Sequence, residues 1–357
     1  MTGCSIKVGD QYVGDGHPCY IIAEAGCNHN QSPQIARALI DSAVAAGASA
    51  VKFQTYISES MYSRQTPMLE HFRTRMGLGE GATMFDLIKM TELPFEMHDD
   101  IVSYSKEKNI PFFSTPFDRK SLDFLDQYDV PMYKIASFEM THFPLLRAVA
   151  EKQKPIVLST GMCNLGDIEK ALDVITSENN EQIILLHCVS SYPAKPEEYN
   201  LRVIETLKSA FSYPVGLSDH TPGTEVSKIA VAIGANMVEK HITIDQSLPG
   251  PDHYFSLTPE ELEDLVSGIR KVEKMLGSAR KRCVQGEKTL KHIARRSLVA
   301  ATNLKKGDTV EAGMIDVKRP GYGLHPELME SLIGAQVVRD VKEDEPLSWD
   351  MFMAYPN

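Results

Sequence analysis

A strand, a helix and a second strand follow one another near the start of the chain. Their sequences are YIIAE (residues 20–24), SPQIARALIDSAVAAG (residues 32–47) and AVKFQ (residues 50–54). The first and third are short apolar runs that end on polar residues, a pattern typical of buried strands. The second starts with a Ser-Pro cap and keeps an apolar stripe at helical spacing until Gly47. Together they predict one strand-helix-strand unit of an α/β fold.

This alternation recurs along the first two-thirds of the chain. Short apolar runs, most of them followed by a polar residue and a turn, occur at residues 20–23, 50–53, 111–113, 132–135, 156–158, 183–186, 215–217 and 237–238. Eight alternations in about 260 residues match the size of a (β/α)8 TIM barrel. An open doubly wound sheet is the alternative, but it usually has fewer strands, and no G-x-G-x-x-G follows the first strand. We therefore expect a barrel within residues 1–280.

The chain changes character after Gly277. Residues 281–296 are basic and poor in large apolar side chains, which indicates a linker. A stretch from Leu304 to Met314 then resembles a later one from Val341 to Met351. Such a pair of short, turn-rich units predicts a small β-rich domain at residues 297–357, with a core thin enough to gain from docking on a larger surface.

Composition and charge limit the class of protein. The 357 residues are 43% hydrophobic and 24% charged, as in ordinary globular proteins. A net charge of −11 argues against nucleic acid or an anionic membrane as the main partner. Residues 1–16 carry no basic region followed by an apolar run, so we expect a cytoplasmic protein. The six cysteines form no C-x-x-C pair, and we expect them to be buried or idle thiols.

Polar residues at the predicted strand ends are the first candidates for a site, because barrel active sites lie where the strands end. They are Glu24, Lys52, Gln54, Thr115, Lys134, Ser137, Ser159, Asp219, His220, Glu239 and His241. Two lysines at one mouth suit an anion such as phosphate, assisted by hydroxyl and backbone N–H groups. The alternative is that each lysine faces the outer helices and reaches water.

His220 and His241 follow neighbouring predicted strands, so their imidazoles could share a divalent ion. Two imidazoles suit Mn²⁺, Zn²⁺ or Fe²⁺ better than Ca²⁺. Hydrogen-bonded packing histidines are the alternative. His187 and Cys188 are adjacent in a strand and point to opposite faces, which argues against a thiol nucleophile paired with its base. Residues 58–81 predict either a mobile flap over one mouth or an ordinary surface insertion.

The ordered set of short motifs resembles the sialic acid (nonulosonic acid) synthases over nearly the whole chain. The matching motifs are IIAEAG (21–26) with NH (28–29), VKFQ (51–54), STPF (114–117), YKIAS (133–137), LSTGM (158–162), HC (187–188) with YP (192–193), GLSDH (216–220), EKH (239–241), GPDH (250–253) and KRPG (318–321). The resemblance implies a TIM barrel followed by an antifreeze-like (SAF) domain. It also implies a transferase that condenses phosphoenolpyruvate with the open-chain aldehyde of an N-acyl hexosamine, giving a nine-carbon sialic-type acid and phosphate.

The resemblance also implies a role for each matching residue. The catalytic set is Glu24, Lys52, Lys134 and Tyr192, the substrate-binding set is Gln54, Thr115, Ser137, Ser159, Ser190, Asp252 and Arg319, and the metal ligands are His220 and His241. The lysines would hold phosphoenolpyruvate, and Glu24 would exchange a proton with the sugar or the attacking water. The metal would be Mn²⁺, with Mg²⁺ or Co²⁺ as alternatives. Ser190 stands at a position where many bacterial members of the family have asparagine.

Arg319 implies an assembly, because in this family the arginine of one subunit reaches the barrel of its partner and meets the N-acyl group. A homodimer with swapped C-terminal domains is therefore implied. KIASFE (134–139) and GLHP (323–326) resemble the pseudaminic acid and spore-coat branches, whereas GPDH (250–253) resembles the neuraminic and legionaminic acid branches. We expect N-acetylmannosamine or a close relative as the sugar. A pyruvate-dependent aldolase and a carbohydrate- or ice-binding module are the rival hypotheses.

Overall fold

The computed structural model describes residues 4–353, which divide into two compact units on either side of the Gly277–Ser278 bond. Among these residues, no helix is both long enough and apolar enough to cross a bilayer.

The first unit consists of ten strands and eleven helices among the described residues. The strands are β1 (Ser5–Val8), β2 (Gln11–Gly14), β3 (Tyr20–Gly26), β4 (Ala50–Thr55), β5 (Phe112–Pro116), β6 (Tyr133–Ile135), β7 (Ile156–Ser159), β8 (Ile183–Cys188), β9 (Val215–Asp219) and β10 (Met237–His241). The helices are α1 (Pro33–Ala46), α2 (Ser58–Met61), α3 (Glu70–Met76), α4 (Met84–Thr91), α5 (His98–Glu107), α6 (Arg119–Leu125), α7 (Phe143–Ala150), α8 (Leu165–Thr176), α9 (Val203–Phe211), α10 (Glu225–Ala232) and α11 (Pro259–Leu276).

Strands β3 to β10 form one sheet in the order β5-β4-β3-β10-β9-β8-β7-β6, and the hydrogen-bonded neighbours run parallel. The two end strands, β5 and β6, lie against each other, so the sheet is a nearly closed barrel. All eight predicted strands are confirmed, and the doubly wound alternative is wrong. The strand residues are almost all buried, as expected for a barrel covered by helices.

Local sequence signals set the helix ends. The Ser32 side chain accepts a hydrogen bond from the Ile35 N–H at the start of α1, and Gly47 ends that helix with a φ of 76°. Thr258 and Glu261 form a capping box at the start of α11. These caps determine the residues at which α1 begins and ends and at which α11 begins.

An antiparallel hairpin, β1 and β2, precedes the barrel and was not predicted. It packs near the strand starts, because Asp15 Oδ1 accepts hydrogen bonds from Asn236, which directly precedes β10, and from Lys208 of α9. Its buried residues Val8 and Val13 join the barrel core. The opposite end of the barrel, where the strands finish, is left for a site.

Three helices, α2 to α4, fill the long connection between β4 and α5. Met68, Met84 and Leu87 form a small core there, with Tyr62 and Phe72 packed against it. A capping box between Thr83 and Asp86 begins α4. The segment for which a flap or a surface insertion was predicted is therefore folded around apolar contacts of its own.

The second unit contains α12 (Lys288–Ala294), β11 (Ser297–Ala300), β12 (Ile315–Lys318) and α13 (Met329–Leu332). Strands β11 and β12 are antiparallel. The two resembling stretches pair where they begin, since Leu304 and Val341 exchange backbone hydrogen bonds of 2.8 and 2.9 Å. Helix α12 lies inside the stretch for which a linker was predicted.

Replacing Gly216 with alanine should lower the free energy of unfolding by about 1–3 kcal/mol, because the site has no room for a methyl group. A Cβ at this position of β9 would lie 2.3 Å from the Met237 carbonyl oxygen and 2.8 Å from Leu186 Cδ2. Urea unfolding followed by circular dichroism measures the loss. Gly81→Ala is the control, since its added Cβ meets nothing within 4 Å. Equal losses in the two variants would contradict the packing argument.

Candidate active site

A cavity of about 680 Å³ opens where the barrel strands end. The predicted residues that line it are Glu24, Lys52, Gln54, Thr115, Ser137, Ser159, Ser190, Tyr192, His220, His241 and Asp252. Lys134 lies just below the lining and reaches it through Glu239. Arg319 belongs to the second unit, where it is exposed and its Nε donates to the Ala294 carbonyl oxygen at 2.8 Å. Glu239, another strand-end candidate, also lines the cavity. The structure thus brings the predicted barrel residues to one place, with the exception of Asp219.

The barrel register places the charged residues side by side. Glu24 of β3 pairs with Lys52 of β4 on one side and with His241 of β10 on the other. The Lys52 Nζ lies 2.9 Å from Glu24 Oε2 and 3.4 Å from Glu239 Oε2. It also donates to Thr115 Oγ1 at 3.1 Å. The alternative in which Lys52 reaches water past the outer helices is therefore wrong.

Glu239 connects the two lysines. One carboxylate oxygen faces Lys52, and the other lies 3.8 Å from Lys134 Nζ and accepts from Ser218 Oγ at 2.9 Å. The side chains of both lysines and of Glu239 are at most 5% exposed. Glu239 was among the strand-end candidates but received no role. A sequence shows that a carboxylate ends a strand, but not that barrel closure carries it between two lysines on β4 and β6.

Burial and pairing set the charge states of this network. Burial raises the pKa of Glu24, and the attraction of Lys52 only partly opposes that rise. Burial alone would raise the pKa of Glu239 as well, but Lys134 and Lys52 outweigh it, so the pKa is lowered. Burial also lowers the pKa of Lys134. The pKa of Lys52 is raised, because Glu239 and Glu24 outweigh its burial. Attraction between opposite charges thus outweighs lost hydration for Lys52 and Glu239, whereas lost hydration outweighs it for Glu24 and Lys134.

Serine hydroxyls form a second group beside Lys134. Ser137 Oγ accepts from the Gly161 N–H at 2.9 Å. A Cβ on Gly161 would lie 2.3 Å from Ser190 Oγ, so only glycine leaves these groups room to converge. The hydroxyls of Ser159 and Ser190 are buried without a hydrogen-bond partner among the described residues. Buried polar groups are usually paired, so free hydroxyls here indicate a polar ligand.

The two predicted metal ligands are close together, with imidazole centroids 5.4 Å apart. His220 Nδ1 donates to the Val189 carbonyl oxygen at 2.9 Å, so Nε2 is the ring nitrogen without a hydrogen bond to the described residues. His241 Nδ1 is buried without a hydrogen-bond partner among the described residues and lies 3.6 Å from Asp252 Oδ2. Burial lowers the pKa of His241 well below its usual value, which keeps the ring neutral. Within residues 4–353, no group of three or more His, Cys, Asp or Glu side chains is arranged to hold an ion.

Tyr192 and Asp252 complete the wall around the histidines. The Tyr192 ring lies 4.4 Å from the His220 ring, centroid to centroid. Cys27 Sγ donates to Asp252 Oδ2 at 3.4 Å. Cys27 and Cys188 are buried, as expected, and both also line the cavity, which was not expected. Nothing in their spacing along the sequence distinguishes these two cysteines from the other four.

Asp219, a strand-end candidate, lies outside the cavity lining. Its carboxylate accepts from Ser227 Oγ at 2.6 Å and lies 2.9 Å from Lys240 Nζ. Its other oxygen accepts from the Thr221 N–H at 2.9 Å. Asp219 precedes His220 and Lys240 precedes His241 in the sequence. The buried contact between Asp219 and Lys240 therefore holds the backbone that positions the two histidines.

Comparisons with known proteins agree with this architecture. Residues 39–281 match the NeuB family, and residues 295–353 match the SAF domain. The chain is 39% identical to the N,N'-diacetyllegionaminic acid synthase of Campylobacter jejuni, over 91% of this chain and 97% of that protein. It is 35% identical to the N-acetylneuraminate-9-phosphate synthase of Mus musculus, over 94% and 93%.

Among solved structures, the N-acetylneuraminic acid synthetase of Leptospira borgpetersenii matches with a TM-score of 0.70 and 36% identity, over 81% of this chain and 95% of that one. The named synthases act in the formation of different sialic-type acids, so they agree on the kind of enzyme and not on one sugar. The chain belongs to the NeuB family, with a TIM-type barrel followed by a SAF domain.

Proposed function

We propose that the protein condenses phosphoenolpyruvate with the open-chain aldehyde of an N-acyl hexosamine, N-acetylmannosamine or a close relative, to give a nine-carbon sialic-type acid and phosphate. The observation that carries this proposal is the buried pair Lys52 and Lys134, bridged by Glu239, beside free serine hydroxyls at the strand ends.

Phosphoenolpyruvate carries a phosphate and a carboxylate, and each anion needs cations or hydrogen-bond donors. Lys52 and Lys134 supply the positive charge. The hydroxyls of Ser137, Ser159 and Ser190 are placed to donate to phosphate or carboxylate oxygens. Ser190 lines the cavity and has no partner among the described residues, so its shorter side chain still offers a donor where other members have asparagine.

The reaction forms one carbon–carbon bond and one carbon–oxygen bond from water, and it breaks the carbon–oxygen bond to phosphate. C3 of phosphoenolpyruvate attacks the aldehyde carbon, whose oxygen gains a proton and becomes a hydroxyl. Water adds at C2, and the tetrahedral adduct loses phosphate as the C2–O bond breaks. Glu24 is held by Gln54, which donates to its Oε1 at 2.9 Å, and is placed to exchange a proton with the sugar or the water. Tyr192 and Asp252 would orient the sugar hydroxyls.

His220 and His241 fit a divalent ion, because their rings are adjacent and each offers a ring nitrogen free of hydrogen bonds to the described residues. Two imidazoles leave further positions for water and substrate oxygens, which suits a catalytic ion. The ion would be Mn²⁺, with Mg²⁺ or Co²⁺ as alternatives, and bound there it would polarise the aldehyde oxygen as a Lewis acid.

Arg319 is proposed to act from a second copy of the chain, in a homodimer with swapped SAF domains. Its side chain is exposed in the second unit, so its guanidinium can bind a group outside that unit. The role proposed for it is a hydrogen bond to the N-acyl group of the sugar.

The purified chain should release inorganic phosphate when supplied with phosphoenolpyruvate, Mn²⁺ and an N-acyl hexosamine, and the release should need all three. A colorimetric phosphate assay measures the rate, and mass spectrometry identifies the nine-carbon product. Pyruvate in place of phosphoenolpyruvate is the control. Turnover with pyruvate and none with phosphoenolpyruvate would reject the synthase in favour of an aldolase.

His220→Ala or His241→Ala should abolish metal-dependent turnover, because one imidazole holds the ion too weakly. The circular dichroism spectrum should stay that of the parent. Metal-stripped protein titrated with Mn²⁺ measures both binding and activity. Undiminished activity in a stripped and remetallated double variant would refute the ligand assignment.

A further inference from the structure

The cavity has two chemically different parts. Its floor at the strand ends carries the charged and hydroxyl groups described above. Part of its side comes from helices α2 and α4 and from the stretch before α3. Met61, Leu69, Met84, Leu87 and Ile88 line the cavity there. None of these side chains can donate or accept an ordinary hydrogen bond, so this apolar wall meets a substrate through its carbon surface alone.

Two hydroxyl groups next to the apolar wall, those of Tyr56 and Thr91, already have hydrogen-bond partners. Tyr56 and Thr91 line the same side, and their hydroxyls lie 2.9 Å apart. Thr91 Oγ1 also donates to the Leu87 carbonyl oxygen at 3.3 Å. A sugar hydroxyl placed here would lose its water without gaining a partner from these residues, which costs free energy.

The apolar wall is held in place on both sides. Met84 and Leu87 belong at once to the lining and to the small core of the insertion. Glu92 accepts from the Ser58 N–H at 2.9 Å and so ties the start of α2 to the end of α4. The Arg75 guanidinium lies 3.4 Å from the ring centroid of Tyr254, in the loop that also carries Asp252. The wall is therefore preformed, and a substrate must fit it.

We infer that the apolar wall selects an N-acyl hexosamine that carries methyl groups, in place of free hydroxyls, at the end remote from the aldehyde. Each methyl group is either a deoxygenated carbon of the sugar or part of an additional N-acyl group. This inference rests on the proposed function, because it assumes that the aldehyde reacts at the charged floor. The open-chain sugar then extends from the floor towards the mouth, where the wall stands. Within the sugars that the proposed reaction admits, the wall favours the less hydroxylated ones.

Three substrates test the inference, each assayed by phosphate release from phosphoenolpyruvate with Mn²⁺. They are N-acetylmannosamine, its 6-deoxy analogue and 2,4-diacetamido-2,4,6-trideoxymannose. For the parent protein kcat/KM should rise along this series, by about 10-fold or more from first to last, the range that apolar pockets achieve. Equal values or a falling series would overturn the inference while leaving the reaction intact. If none of the three sugars supports phosphate release, the proposed function itself is overturned.

The preference is the ratio of kcat/KM for the trideoxy sugar to kcat/KM for N-acetylmannosamine. Met61→Gln should lower this ratio towards 1, since glutamine offers hydrogen bonds at nearly the same volume. Ile88→Thr, on α4, should lower it as well. The matched control is Met90→Gln on α4, where Met90 is 51% exposed and outside the lining. The control should keep the parent preference, and KM for phosphoenolpyruvate should be unchanged in all three. A preference that survives both wall variants, or falls equally in the control, would contradict the inference.

Discussion

The buried ion network of Lys52, Glu24, Glu239 and Lys134 is the constraint on which the site depends. Each group taken alone would lose more hydration energy than a barrel interior can offset, so every charge needs an opposite one within a few ångströms. The carboxylates meet this need while the substrate is away. In the proposed reaction, an anionic substrate replaces them as the partner of the lysines, which a neutral one cannot do. The proposed site is therefore selective for an anion before any sugar binds.

The barrel makes this network possible because parallel strands end at one rim. The register sets Glu24 between Lys52 and His241, so the charged network lies next to the histidine pair. Outside the cavity lining, Asp219 and Lys240 neutralise each other and hold the residues that flank the histidines. The insertion adds apolar surface to one side of the cavity. The barrel strands therefore supply both the charged network and the histidine pair, and the insertion supplies the apolar wall.

Much of this arrangement could be predicted from sequence, and the omissions have physical causes. Strands buried on both faces leave a clear signal of apolar runs, so all eight were found. Most of the polar residues predicted at the strand ends line the cavity. The role of Glu239 depends on which strands become neighbours on closure, which no local pattern encodes. The apolar wall was missed because Met61 and Ile88 look like ordinary core residues until the insertion folds. Hairpin β1–β2 was missed because its strands are short and only partly apolar.

The most direct test is calorimetric titration of the full chain with phosphoenolpyruvate. The variants distinguish the loss of the Lys52 charge from the effect of leaving a buried carboxylate without its partner. Glu24→Gln alone removes a competing anion, so it should bind phosphoenolpyruvate at least as tightly as the parent. Lys52→Met combined with Glu24→Gln keeps the net charge of the cavity and should weaken binding by about 10-fold or more. If the double variant binds as tightly as Glu24→Gln alone, Lys52 does not hold the anion and the account is wrong.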